Sequence, residues 1–199
     1  MKKRPLPMGT KLHSEHSEKV FEGVRWDIYQ WQQKMFDGSV ETFELAKRDD
    51  TVIIIPLLDD GHILAVSERQ PHWDKDGLVL VAGMVKKEED LELAARRELE
   101  EETGYVFKDF YLVDVDYPTP GVEWGTYTYI AKNLVEQKEK TLDPGEQNSI
   151  VILSIDELIK NVRSQSFLFR PAYIENFFVR DNVDQLLKVF KNPEDYQVE

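Results

Sequence analysis

Cysteine is missing altogether from these 199 residues. That removes a disulfide framework, a thiolate metal site and a cysteine nucleophile at once. Long hydrophobic runs are missing too: no stretch of about 18 uncharged apolar residues, the length a membrane helix requires, occurs anywhere. Cationic side chains are scarce beside anionic ones, 25 Lys and Arg against 38 Asp and Glu, giving a net charge of −13. Phosphate backbones are bound by basic surfaces, so a nucleic-acid partner is not expected. The start Met1-Lys2-Lys3-Arg4 is basic but leads into no apolar core of signal-peptide length, so export is not expected and a cytoplasmic location is the default. No internal repeat is evident. What is present, 41% apolar residues in a chain of this length, suffices for one ordinary domain with a real core and an extension.

One segment stands out from that background. Gly83 is followed by Glu89, then by Arg97-Glu98-Leu99, then by Glu101-Glu102 and Gly104-Tyr105. The pattern is G-x5-E-x7-R-E-U-x-E-E-x-G-U, with U bulky and apolar. Chance alone would place its fixed positions in register less than roughly once in 10^5 chains of this size. Asp90 to Thr103 has no Pro or Gly and is rich in strong helix formers. Asp90 is a natural N-cap and Gly104 a natural C′ residue. Leu91, Ala94, Ala95 and Leu99 recur at helical spacing and predict the buried stripe. Glu98, Glu101 and Glu102, at i, i+3 and i+4, then share the neighbouring face. Carboxylates about 5–6 Å apart repel by roughly 3 kcal/mol at an effective dielectric near 20, and a divalent cation would convert that repulsion into ligation. All-oxygen ligands suit Mg²⁺ or Mn²⁺. Taken alone, the Glu run reads as a solvated acidic face. Gly83, Glu89 and Arg97 have no role in such a face, and their presence favours chemistry. Arg97 and Glu89 read as a pair clamping the preceding loop to the helix.

The whole pattern resembles the signature of the Nudix hydrolases. The resemblance implies a mixed α/β sandwich and a Mg²⁺-dependent pyrophosphohydrolase acting on a nucleoside diphosphate linked to another group. In such an enzyme cations neutralise the diphosphate and activate water for attack on one phosphorus. Carried over by position, Glu98 and Glu102 are the principal metal ligands, and Glu101 is a third ligand or an assistant base. The carbonyl of Ala82 is a further metal contact, and Gly83, Glu89, Arg97 and Gly104 shape the loop and helix. Tyr105 departs mildly from the aliphatic residue usual at its place.

The rest of the chain reads as strands, helix, strands, helices, the order of an α/β/α sandwich with N-terminal antiparallel strands and C-terminal helices. Residues 1–17 form a polar tail, 18–50 an N-terminal strand extension, 51–162 the hydrolase domain and 163–199 a helical segment. Strand-like runs are Val20 to Tyr29, Gln30 to Phe36, Val40 to Ala46, Thr51 to Leu58, His62 to Ser67 and Leu78 to Ala82. Asp37-Gly38 and Asp59-Asp60-Gly61 supply turns. Val106 to Asp116, Gly125 to Ala131 and Asn148 to Leu153 follow the first helix as strands. Ser154-Ile-Asp-Glu157 predicts a capping box opening a helix to about Val162. Ala172 to Phe178 and Val183 to Phe190 have helical periodicity.

Within the family, Ser67-Glu-Arg-Gln70, Leu80-Val-Ala-Gly83 and Tyr117-Pro-Thr-Pro-Gly121 are similar to the ADP-ribose pyrophosphatase branch, over roughly residues 18 to 155. Pro120 lies fifteen residues beyond Tyr105, as that branch has it. The likeness implies ADP-ribose or another nucleotide sugar as substrate, and a homodimer built through the N-terminal strands. Arg69 becomes a candidate for substrate phosphates, its alternative being a strand-end surface charge. The chain also departs from the branch. Leu78-Val79-Leu80-Val81 replaces Trp-Glu-Leu-Pro, so Val79 stands where an acid faces substrate. The loop after Gly121 is one residue short, with Gly125 at the usual acidic place. Glu123 is the nearest carboxylate for a catalytic base on a moving loop, with Glu101 or Glu146 as alternatives. These departures keep open nucleoside triphosphates or dinucleoside polyphosphates as substrates, and also a sensor that binds nucleotide sugars without turnover. Trp26, Trp31, Trp73 and Trp124 fall in segments expected near substrate or dimer seam, where stacking on a base and ordinary packing both remain open. Trp124 is the foremost candidate for substrate contact. His13, His16, His62 and His72 show no metal-ligand pattern.

Overall fold

The computed structural model of the chain describes residues 5–6, 13–117, 119–142, 147–164, 166–167, 172–179 and 182–198. In chain order, seven strands come first: β1 (Glu18–Glu22), β2 (Asp27–Lys34), β3 (Val40–Lys47), β4 (Thr51–Pro56), β5 (Ile63–Arg69), β6 (Gly77–Val79) and β7 (Val81–Met84). Helix α1 (Leu91–Thr103) leads to β8 (Tyr105–Asp116), β9 (Val122–Glu123), β10 (Thr126–Gln137) and β11 (Gln147–Leu153). Helices α2 (Ile155–Arg163), α3 (Ala172–Val179) and α4 (Val183–Lys191) close the chain with a 3₁₀ turn at Pro193–Tyr196.

The strands form three sheets, ordered β1-β2-β3-β9, β7-β4-β10-β8 and β11-β5-β6. The middle sheet is mixed: β10 runs parallel to β4, with Tyr127 opposite Val52, and antiparallel to β8. Strand β4 shows why it lies inside. Val52 and Ile54 enter one apolar cluster with α1, while Ile55, with Ile53 packed beside it, enters a second with the C-terminal helices. A strand covered on both faces needs apolar residues at successive positions, and Val-Ile-Ile-Ile supplies them. The cluster under α1 takes Leu91, Ala94, Ala95 and Leu99 from the helix and Phe107, Tyr127 and Tyr129 from the sheet. The opposite cluster takes Leu158 and Val162 of α2, Ile174 of α3, and Leu186, Val189 and Phe190 of α4. This is the α/β sandwich expected from the order of elements.

Differences from the sequence reading are local. The first strand-like run breaks at Gly23 to Trp26, where Gly23 N–H donates to the Trp26 carbonyl at 3.0 Å and closes a turn. The run Leu78 to Ala82 divides into β6 and β7, which join different sheets. Strand β10 extends to Gln137, well past Ala131, because its long antiparallel register with β8 continues beyond the buried part. The two-residue β9 carries too little pattern to be seen in sequence. The capping box is present: the Glu157 N–H donates to Ser154 Oγ at 3.2 Å, and the Ser154 N–H donates to Glu157 Oε2 at 2.8 Å.

Asp114 on β8 lies opposite Thr128 and is partly buried. Burial, assisted by the charge of Asp116, pushes its carboxyl up to about 6 from 3.8. A raised folded-state value means the proton is held more tightly in the fold. That contribution to stability is complete below about pH 4 and is lost as pH rises through about 6. Asp114→Asn is therefore expected to stabilise the protein near pH 7.5 by on the order of 1–2 kcal/mol, after discounting for partial solvation, with no gain below pH 4. Urea melts of both proteins at the two pH values check this, and an equal gain at both would refute it.

Candidate active site on helix α1

Asp90 opens α1 in extended conformation, its Oδ1 accepting from the N–H groups of Glu92 at 2.9 Å and Leu93 at 3.3 Å. At the other end Gly104 has φ of 76° and its N–H donates to the Glu100 carbonyl at 2.8 Å. A Cβ there would lie 2.2 Å from the Lys138 carbonyl oxygen, so backbone conformation and close approach both demand glycine. The loop before α1 has an unusual residue that sequence reading passed over. Glu88 adopts φ of 64°, a left-handed conformation that non-glycine residues visit rarely, and so helps turn the chain into position.

Arg97 gathers this region. Its Nε and Nη2 donate to the two oxygens of Glu89 at 2.8 and 2.9 Å, the bidentate geometry a guanidinium fork favours. Nη2 also donates to the Met84 carbonyl at 3.0 Å. Nη1 reaches Glu98 at 2.7 Å and Glu101 at 3.0 Å. Glu89 in turn accepts from the Lys86 N–H at 2.9 Å. The expected clamp of loop to helix is thus present, and it includes two of the three carboxylates on the helix face, which the spacing had not suggested. Hydrogen bonds from Arg97 outweigh burial and hold the Glu89 carboxyl below its ordinary range, while the Arg97 guanidinium is pushed up.

The Glu98 carboxylate is packed against Gly83 of β7: a Cβ added there would fall 1.9 Å from its carboxyl carbon. Ala82, next to Gly83 and opposite Ile53, lies exposed on the same strand. Glu101 is the more open, its side chain 44% exposed against 14% for Glu98. Glu102 is half-buried, and its backbone carbonyl accepts from Asn148 Nδ2 at 3.1 Å. Among the described residues no three His, Asp or Glu side chains converge as a ready-made metal cage. Arg97 draws Glu98 and Glu101 onto itself instead. The donor set nevertheless suits a hard divalent cation: all candidate ligating atoms are oxygens, and Gly83, without a side chain, lies against the Glu98 carboxylate. The last turn of α1 holds no basic residue, so no cation of that turn offsets the negative end of the helix dipole near Glu101 and Glu102.

Glu123 lies elsewhere. It sits on β9 beside Lys47 of β3, buried, with an ion pair to Lys47 and a 2.5 Å contact to His13 Nδ1. The His13 N–H also donates to it at 3.1 Å. Burial works against its charge, but the bonds from Lys47 and His13 prevail and hold its carboxyl low. Nor is its loop free: Ala46 N–H donates to Gly121, Arg48 N–H to Glu123 and Thr51 N–H to Gly125. Among the described residues no hydrogen bond or ion pair joins Glu123 to α1. Glu146 lies outside the described residues. Arg69 is exposed at the end of β5, 3.6 Å from Asp76, and Trp124 donates from Nε1 to Thr51 Oγ1 at 2.9 Å. Sequence reading missed Lys47 and Arg48, whose only signal was a basic pair at a strand end, and saw in His13 no more than the lack of a metal-ligand pattern.

Gly83→Ala is expected to leave the melting temperature within a few degrees, because the atom it meets is the end of a mobile side chain. Displacing Glu98 should cost at least about tenfold in kcat. Steady-state kinetics beside circular dichroism melts check this; unaltered turnover in a folded variant would contradict it.

Comparison with known proteins bears on this geometry. The family profile described as NUDIX domain matches residues 47–173. The ADP-ribose pyrophosphatase of Bacillus subtilis (strain 168) is 27% identical over 150 residues, covering 74% of this chain and 81% of that protein. The methanol dehydrogenase activator of Bacillus methanolicus is 24% identical over 151 residues, covering 75% and 82%. A solved structure described as an ADP compounds hydrolase superposes with a TM-score of 0.70 at 19% identity, over 92% of this chain and 98% of that one. At that identity the superposition speaks for the fold alone. The profile spans more than half of the chain and includes the loop and helix built around Arg97; the chain belongs to the Nudix hydrolases, near their ADP-ribose pyrophosphatase branch.

Proposed function

We propose that this Nudix hydrolase cleaves ADP-ribose, or a closely related nucleotide sugar, to a nucleoside monophosphate and a sugar phosphate, with Mg²⁺ as cofactor and Mn²⁺ as a substitute. The observation that carries the reading is the face of α1 that bears Glu98, Glu101 and Glu102, with Glu98 packed against Gly83, in a chain whose likeness to a curated ADP-ribose pyrophosphatase extends over most of both proteins. Glu98, Glu102 and the carbonyl of Ala82 would hold the metal, with Glu101 beside them. The cation supplies charge neutralisation at the diphosphate and activation of water. Arg97 keeps Glu98 and Glu101 in place until a cation competes for them. Glu101, the more open of those two, is assigned the proton from the attacking water. Glu123, paired with Lys47, hydrogen-bonded by His13 and held as a weak base, anchors its loop. Arg69, an exposed guanidinium paired only loosely with Asp76, remains a candidate for outlying phosphates.

The protein is further proposed to act in the cytoplasm as a homodimer. Val20, Phe21, Val40 and Phe43 of the first sheet are exposed and supply an apolar surface for the second copy. Among the described residues no helix is long and apolar enough to cross a membrane.

Incubation with ADP-ribose, GDP-mannose and dGTP, with Mg²⁺ or with EDTA, followed by chromatography of the products, tests the reading. Phosphorylated products from ADP-ribose that require Mg²⁺ are expected. Preferential cleavage of dGTP would move the substrate to nucleoside triphosphates, and no product from any compound would favour a sensor. Glu102→Gln should keep the fold yet lower kcat by at least about 10²-fold. Full activity in that variant removes Glu102 from the ligand set.

A further inference from the structure

Three successive carbonyls at the end of α1, those of Glu100, Glu101 and Glu102, are satisfied in different ways. The first two accept from backbone, Gly104 N–H and Thr141 N–H, each at 2.8 Å. That of Glu102 accepts from a side chain, Asn148 Nδ2 at 3.1 Å, brought from β11 46 residues further along the chain. Water could serve a carbonyl at a helix end. The amide is moreover held on its other side. Lys140 Nζ donates to Asn148 Oδ1 at 2.8 Å and to the Asn148 backbone carbonyl at 2.6 Å. An ammonium only donates and a carbonyl only accepts, so both neighbours demand one orientation of the amide, Oδ1 toward Lys140 and Nδ2 toward Glu102. A lysine and an asparagine are thus committed to a single peptide group, and it belongs to the residue that carries a candidate metal carboxylate.

The two principal ligand candidates are placed from different sheets. Glu98 rests against Gly83 of β7 in the middle sheet, while Glu102, one helical turn on, is tied to β11 in the sheet β11-β5-β6. A cation shared by both needs their roots at a set separation, since oxygen sites for Mg²⁺ tolerate little error in geometry. A carboxylate can still choose its rotamer; what a bond to its own peptide group fixes is the point from which the side chain starts. We propose that Asn148, oriented by Lys140, is a positioning residue for Glu102, and that the pair raises the affinity of the α1 face for a divalent cation. The proposal rests on the metal reading above and extends it to a strand outside the helix and its preceding loop. Outer partners of metal ligands act in this way, by ordering the ligand before the ion arrives. A purely structural role predicts a loss of stability with affinity for the ion unchanged.

Binding of Mn²⁺ alone to the full chain, measured by calorimetry without nucleotide, tests this. Asn148→Ala removes the bond to Glu102, Asn148→Ser keeps a shorter donor, and Lys140→Met leaves the amide free to flip. Asn148→Ala should weaken Mn²⁺ binding by at least about fivefold, with Asn148→Ser and Lys140→Met between it and the wild type. Melting temperatures should stay within about 4 °C of the wild type, the cost of one hydrogen bond in a chain of this size. In turnover of ADP-ribose, the Mg²⁺ concentration giving half the maximal rate should rise by a similar factor in Asn148→Ala, while KM at saturating Mg²⁺ changes by less than about twofold. Wild-type affinity for Mn²⁺ in both Asn148→Ala and Lys140→Met overturns the proposal, as does a loss in Asn148→Ala that Asn148→Ser recovers in no part. If Asn148→Ala folds poorly, Lys140→Met decides alone, because Lys140 is exposed. Glu102→Gln separates the proposal from the reading beneath it. Loss of Mn²⁺ binding in Glu102→Gln, with binding kept in the Asn148 and Lys140 variants, leaves the ligand assignment standing and sinks the proposal. Wild-type binding in Glu102→Gln sinks both.

Discussion

A single guanidinium organises the acidic end of this protein. Arg97 bonds to Glu89 in the loop, to the Met84 carbonyl at the end of β7 and to Glu98 and Glu101 on its own helix. Without it three carboxylates would repel one another around a loop with little apolar content to hold it. With it, strand, loop and helix share one centre of positive charge, and the carboxylates are stored close together without mutual cost. The same arrangement explains why the acids of this face turn toward Arg97 rather than toward one another. Arg97 supplies a positive charge beside Glu98 and Glu101, and in the proposed reading a divalent ion would take over part of that role.

The scaffold places this centre through two apolar layers. The small side chains Ala94 and Ala95 let α1 lie close on the sheet, and the Val-Ile-Ile-Ile run of β4 supports both layers together. Strand β7, paired with β4 from Thr51 to Ile54, carries Gly83 under Glu98. Rigid strands thus set the position of a flexible carboxylate, and the strand contributes backbone where a side chain would intrude.

Much of this was legible from the chain itself. The N-cap at Asp90, the stop at Gly104, the buried stripe of α1 and the capping box at Ser154 each depend on residues a few positions apart, so local chemistry sufficed. The Glu89–Arg97 pair was legible too, because its partners bracket one loop and one helix turn. Long-range pairings were not. Lys47 and His13 reach Glu123 across 76 and 110 residues, and Arg48 meets Trp124 only because β9 and β10 return beside β3 and β4. No periodicity records such encounters. The tight turn at Gly23 and the split of Leu78 to Ala82 into two strands were hidden for a related reason: apolar runs look continuous whichever sheet they join.

The far end of α1 carries one more implication. Lys138 N–H donates to the Gly104 carbonyl at 2.7 Å, Thr141 N–H to the Glu101 carbonyl at 2.8 Å and the Asn148 side chain to that of Glu102. Helix ends normally leave such carbonyls to solvent or to a cap. Here both margins of the connection from β10 to β11 are sewn to the backbone of the turn that bears the acidic pair. The end of the helix is therefore held by the chain that follows β10 and opens β11 as well as by its own glycine, so its last turn cannot fray independently of those strands.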